Sequence, residues 1–190
     1  MPMTKHYTKK YSVSFSQTEK AKKIYLAAIS SVLLSSISLE VFARSRIADA
    51  EVSSVDGVPC FTISQKEEKR NGQPLLGALS ISDLSEKPVV GVWSFYMTGG
   101  KKVPLSSKSC LRYGDLPQGA NGMPAPELQT GRVYSIFLNG RPNDPSYPTY
   151  GYMGKFCIVA TANGERKIIA IGSDTTAWRQ DSCPEHSLIR

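Results

Sequence analysis

Short apolar runs separated by turn residues fill the chain from Ile47 onward, and this pattern most constrains its fold. Alternation with a period of 2 is typical of half-buried strands, whereas helices repeat every 3.6 residues. The clearest unit is a hairpin over Lys155–Ile171, because Asn163-Gly164 supplies the positive φ angles that a tight turn needs. The sequence therefore predicts an all-β domain over 44–190.

Four further segments show the same apolar alternation and are predicted strands: Val58–Ile63, Leu76–Ile81, Val90–Met97 and Arg132–Leu138. Strands of this kind are buried most simply in a two-layer antiparallel β-sandwich, immunoglobulin-like in outline. An incomplete barrel would produce the same sequence pattern. Between the strands, the charged run Gln65–Asn71 is interpreted as a solvated loop.

An apolar run over Ile24–Leu39 follows a basic segment that includes Lys20, Lys22 and Lys23. A basic region before a short apolar stretch is typical of an export signal. A spanning helix needs about 20 mostly apolar residues, so this serine-rich run favours a cleaved signal over a membrane anchor. Val41-Phe42-Ala43 predicts cleavage between Ala43 and Arg44, which makes 1–43 an extension and signal peptide preceding the β domain.

The net charge of +7 is concentrated near the amino terminus. Residues 1–43 carry six lysines against two glutamates, so the 44–190 region contributes less than half of the excess. A basic charge that leaves with the signal says little about the exported domain. Nucleic acid is therefore not an expected partner, and membrane contact is expected only through an uncleaved signal.

Four cysteines, Cys60, Cys110, Cys157 and Cys183, all follow the predicted signal. An even number of cysteines in an exported chain favours two disulfides. Three pairings exist, and sequence-local closure favours Cys60–Cys110 with Cys157–Cys183. Neither clustered thiolate spacing nor neighbouring histidines indicate a metal site.

Catalytic side chains are sparse. The two histidines are His6, in the basic region, and His186, near the carboxyl terminus, so a nucleophile has no obvious base. Paired carboxylates such as Glu67-Glu68 fall in the charged run, although sequence spacing does not exclude acids that meet across a cleft. The glycines form no phosphate-binding motif. We expect no enzyme activity and no cofactor.

Two segments rich in Pro, Gly and Asn, Leu116–Thr130 and Gly140–Gly154, are predicted surface loops. The second carries Tyr147, Tyr150 and Tyr152, which offer large contact areas with little rotamer freedom to lose. These tyrosines, with Arg141, are candidate partner contacts. The competing interpretation is that the rings cover one end of the sandwich, since tyrosine is common in strands.

Several segments together, in chain order, resemble the type VI secretion immunity periplasmic lipoproteins of Gram-negative bacteria. The resemblance runs from about Lys22 to Cys183. Its most specific pieces are the Pro59-Cys60-Phe61 strand and the Cys110–Gly114 segment, with Phe156-Cys157 in the later hairpin. The remaining pieces are the export signal with Leu34-Ser35-Ser36, Arg46–Val52, Asp56–Phe61, Val92–Phe95 and Arg132–Ser135.

The resemblance implies a periplasmic protein that neutralises a toxic effector by stoichiometric binding. It makes Arg112 and Tyr113 further candidate contacts, although strand-end packing beside a disulfide would explain them equally well. The family carries a lipid-receiving cysteine after Leu-Ser-Ser, where this chain has Ile37. Isoleucine has no thiol, so lipidation there is excluded and a soluble form is favoured over a tethered one. The rival interpretations are an adhesin or envelope-assembly subunit and, less favoured, a small envelope hydrolase.

Overall fold

The computed structural model describes residues 45–184, which hold ten strands and two short helices. The strands are β1 Arg46–Val55, β2 Val58–Ile63, β3 Leu75–Asp83, β4 Val90–Met97, β5 Val103–Pro104, β6 Leu111–Arg112, β7 Ala120–Gly122, β8 Val133–Arg141, β9 Thr149–Ala160 and β10 Arg166–Ile171, and the helices are α1 Gln65–Asn71 and α2 Thr176–Gln180. The predicted signal, Ile37, the Ala43–Arg44 cleavage site and His186 lie outside the described residues. Among residues 45–184, no helix has the length and apolar character that crossing a membrane requires.

The all-β prediction is confirmed, but the strands form one ten-stranded sheet with the order β6-β2-β1-β9-β8-β3-β4-β7. Strand β10 pairs with β9, and β5 pairs with β3. The sheet curls so that its two ends approach each other. Tyr113, directly after β6, contacts Trp93 on β4, and their ring centroids are 5.1 Å apart. The two-layer sandwich is not confirmed, and the curled sheet is closer to the incomplete barrel.

Strand β9 shares one of its edges between two neighbours. Its first half pairs in parallel with β1 as far as Asp49, and its second half pairs antiparallel with β10, as the Asn163-Gly164 hairpin predicted. Beyond Asp49, β1 leaves β9 and continues in its pairing with β2. A groove opens on the outer face of the sheet at this divergence.

Alternation along the strands separates two clusters of buried side chains. The main core fills the inside of the curl, where Phe156 of β9 contacts Phe61 at 5.7 Å and stacks on Tyr134 at 5.4 Å between ring centroids. A second, smaller cluster lies on the opposite face of β9 and includes Cys157 and Val159. Helix α2 packs there through Ala177 and Trp178.

The charged run Gln65–Asn71 is helix α1, so its prediction as a loop is wrong. Ser64 caps this helix by accepting a hydrogen bond from the Glu67 backbone N–H at 3.1 Å. A serine three residues before a glutamate is a helix-start signal that overrides the solvated-loop interpretation. Glu67 lies on the inward face of α1 and is only 4% exposed.

Candidate functional site

Three of the predicted contact residues lie together at the β8–β9 connection. Arg141 ends β8 and its guanidinium lies over the Tyr150 ring, 4.6 Å from the centroid. Tyr147 and Tyr150 are 39% and 47% exposed. We call Arg141, Tyr147 and Tyr150 the hairpin-end patch.

The turn beside the hairpin-end patch is held by Asp144. Ser146 donates to its Oδ1 from the backbone N–H at 2.9 Å and from the hydroxyl at 2.7 Å. The Tyr147 N–H donates to the Asp144 carbonyl at 3.2 Å. The Ser146 hydrogen bonds lower the pKa of the Asp144 carboxyl, because they stabilise its charged form.

Tyr150 points outward because it is the extra residue of a β-bulge. Arg46 pairs with Thr149 and Ile47 pairs with Gly151, which leaves Tyr150 without an opposite residue on β1. The next position has to be small, since a Cβ on Gly151 would lie 2.5 Å from Cζ of Phe137. The predicted loop Gly140–Gly154 is thus mainly strand at its two ends, and only its middle is a connection.

Tyr152 is not a partner contact, and that prediction is wrong. Beyond the bulge its ring faces the core and is fully buried. Its hydroxyl accepts a hydrogen bond from Nδ2 of Asn71 at 3.1 Å, and burial raises the pKa of Tyr152 to about 12. The ring therefore secures α1 to the sheet.

Tyr113 packs where the sheet closes, whereas Arg112 forms an ion pair. Tyr113 meets Trp93 edge-on, donates its hydroxyl to the Pro126 carbonyl at 2.6 Å, and has a pKa raised by burial to about 12. It closes the curl of the sheet and is half-buried, and its assignment as a partner contact stays a prediction. Arg112 is half-buried and pairs with Asp56 at 3.4 Å, and its role as a partner contact also stays a prediction.

Cys60 and Cys110 form the predicted disulfide, with an S–S distance of 2.01 Å. Cys157 and Cys183 are free thiols in the structure and belong to the same small cluster beneath α2. Burial raises the pKa of the Cys157 thiol, and the neighbouring Cys183 raises it further. The second predicted bond stays a prediction.

A groove of about 590 Å³ lies where β1 diverges from β9. Its floor is the outer face of β1, where Asp49, Glu51 and Ser53 alternate with the inward Ala48, Ala50 and Val52. One wall is the Ser107–Cys110 segment, and the other is formed by Gly172–Asp174 with Trp178. None of the predicted contact residues lines the groove. The alternation of Asp49, Glu51 and Ser53 was the signal in the sequence that could have identified its floor.

Within residues 45–184, no group of three or more His, Cys, Asp or Glu side chains is arranged to hold a metal ion. Comparison with protein-family models, with curated proteins and with solved structures gives no match for this chain.

Proposed function

We propose that this protein is an exported immunity protein that binds and neutralises a protein effector of a type VI secretion system in the periplasm. The ordered sequence resemblance supports this assignment. Its two most specific pieces are neighbours in the fold, because the Cys60–Cys110 disulfide and the β2–β6 pairing join the Pro-Cys-Phe strand to the Cys-Leu-Arg-Tyr-Gly segment. Binding alone protects the cell, so no catalytic residue or cofactor is needed.

The hairpin-end patch is the observation that carries the binding function. Tyrosine and arginine dominate the energetics of many protein interfaces, since their large side chains combine apolar area with hydrogen-bonding groups. The cation–π contact between Arg141 and Tyr150 orders both side chains before a partner arrives. Two ordered side chains lose less conformational entropy on binding than two free ones.

Export and cleavage between Ala43 and Arg44 would place the domain in the periplasm as a soluble protein. An uncleaved signal would instead tether it to the inner membrane, with the same binding surface. The intact mass of the exported protein distinguishes the two forms and shows whether an acyl group is attached.

Co-expression tests the function directly. The toxin encoded beside this gene, directed to the periplasm, should kill cells that lack the protein and spare cells that produce it. If cells die equally in both cases, the immunity function is wrong for that toxin.

Replacing both Arg141 and Tyr150 by alanine should weaken toxin binding by at least about thirtyfold, which corresponds to about 2 kcal/mol for a hot-spot pair. Calorimetric titration with the purified toxin measures the change. Tyr96→Ala is the matched control, because Tyr96 is a 55% exposed tyrosine on β4, outside the patch. An unchanged affinity for the double variant would show that the hairpin-end patch is not the binding surface.

A further inference from the structure

We propose that the groove above β1 is a second contact site, which takes an extended basic segment of the protein partner. The identification of this basic segment as part of the effector rests on the proposed immunity function. The groove itself is argued from its floor, its walls and its charges.

The floor presents two carboxylates in a fixed spacing. Asp49 and Glu51 are exposed on the same face of β1, two residues apart, so their side chains project from the sheet side by side. Asp49 accepts one hydrogen bond, at 3.0 Å, from the Ser173 hydroxyl. Neither carboxylate is in an ion pair with another residue of the described 45–184 region.

The first wall is braced from several sides. The disulfide fixes Cys110, and the Thr62 hydroxyl contacts the carbonyls of Ser106 and Ser109 at 2.5 and 3.0 Å. Glu68 accepts hydrogen bonds from the N–H and hydroxyl of Ser107, and these bonds lower the pKa of Glu68 to about 2. The wall is therefore in place before any partner binds.

The second wall is braced by Lys155. Its Nζ donates to the Trp178 carbonyl at 2.8 Å and to Oδ1 of Asp181 at 2.6 Å. The same ammonium lies 4.7 Å from the centroid of the Trp178 ring. This lysine is thus engaged in holding α2 and forms no ion pair with Asp49 or Glu51.

The remaining charges favour a cationic occupant. Asp174 on the second wall adds a third carboxylate, against Lys108 on the first wall and Lys155, whose ammonium is bound to Asp181. A volume of about 590 Å³ lies within the roughly 300–1,000 Å³ usual for ligand sites. Lysine or arginine side chains at alternate positions of an extended segment would match the spacing of Asp49 and Glu51, and Trp178 offers an aromatic wall for their stems.

A synthetic peptide of alternating lysine and threonine tests the groove with the full-length protein. Backbone amide shifts in the NMR spectrum should change at Asp49, Glu51 and Trp178, and calorimetry should give the affinity. The protein has a net charge of +7, so general attraction would not draw a basic peptide to it. A peptide of alternating glutamate and threonine is the control ligand and should not bind.

Asp49→Asn combined with Glu51→Gln should lower the affinity for the lysine peptide by about fivefold to tenfold, because two partly solvated ion pairs are lost. Glu165→Gln, at an exposed position in the β9–β10 turn, should leave the affinity unchanged. Equal binding of both peptides, shifts elsewhere, or an unchanged affinity in the double variant would overturn the proposal.

The same double variant separates the groove from the immunity function. If the protein protects cells from the toxin and the double variant binds that toxin as tightly as the original, the groove proposal fails and the immunity function stands. If the lysine peptide binds as expected and no protection occurs, the groove stands and the immunity function fails.

Discussion

Arg46 and Glu67 form a partly buried ion pair that joins the start of β1 to α1. Arg46 donates to both Glu67 oxygens, at 2.6 and 2.8 Å, and Asn71 donates to Glu67 at 3.0 Å. The Arg46 hydrogen bond is the main cause of the lowered pKa of the Glu67 carboxyl, which opposes the effect of its burial. Glu67 is 4% exposed, so its charge depends on these partners.

Glu67→Gln should lower the free energy of unfolding by about 2 kcal/mol at pH 7, because Arg46 loses its charge partner. The folded-state pKa of Glu67 lies below its ordinary value, so the stabilisation is complete above about pH 4.5 and is lost as the pH falls through the folded pKa. Urea unfolding at pH 7 and at pH 3 should thus show a smaller difference at the lower pH. A difference that does not depend on pH would contradict the charge-based explanation, and Glu165→Gln is the control.

Helix α2 depends on its contacts with the sheet. Its five residues are too few for an independently stable helix, although Thr175 caps it by accepting from the Trp178 N–H at 3.1 Å. Lys155 and the small cluster around Cys157 hold it against β9. Cys183 follows α2 closely, so a bond to Cys157 would secure this end of the chain.

We predict that Cys157 and Cys183 form a disulfide in the exported protein. Both thiols lose their protons and together two electrons, which a disulfide of an exported thiol oxidase accepts. Peptide mapping without reductant should show the two cysteines cross-linked, and the intact mass should be lower than that of the dithiol by two hydrogens. The prediction is wrong if both thiols alkylate in the denatured, unreduced protein.

At the scale of the whole molecule, the curl of the sheet brings its ends together, and the Cys60–Cys110 disulfide constrains one of those ends. The bond spans 50 residues of sequence. Changing both cysteines to serine should lower the free energy of unfolding by about 4 kcal/mol, since the unfolded chain regains the entropy of that loop. Chemical denaturation measures the difference, and reduction of the original protein should reproduce it. An unchanged unfolding midpoint would show that the strand pairing alone fixes this end.

Local patterns predicted much of the strand architecture. The hairpin over Lys155–Ile171 formed as predicted, but only Gly164 has a positive φ, of 78°, and the connection is the five residues 161–165. The alternating segments around Trp93 and Ile136 became β4 and β8, with these side chains buried in the core. Such features depend on residues that are neighbours in the sequence, and so they can be predicted without knowledge of the tertiary structure.

The candidate contacts depended on register, which sequence periodicity does not give. Tyr150 and Tyr152 are two positions apart, so in a regular strand they would lie on the same face. A bulge opposite β1 turns Tyr150 outward and leaves Tyr152 in the core. Shifting a strand by one residue exchanges its two faces, so one bulge decides which tyrosine is available to a partner.

Local patterns predicted the β class, the β9–β10 hairpin and the preference for Cys60–Cys110, because each follows from periodicity, turn chemistry or the pairing of cysteines that are consecutive in the sequence. The contact between Asp49 and Ser173 and the position of Trp178 beside the floor of β1 depend instead on the folded arrangement. These residues are more than a hundred positions apart, and their meeting results from β9 sharing one edge between β1 and β10. Long-range pairing of this kind is fixed by the burial of the whole core, which no local pattern contains.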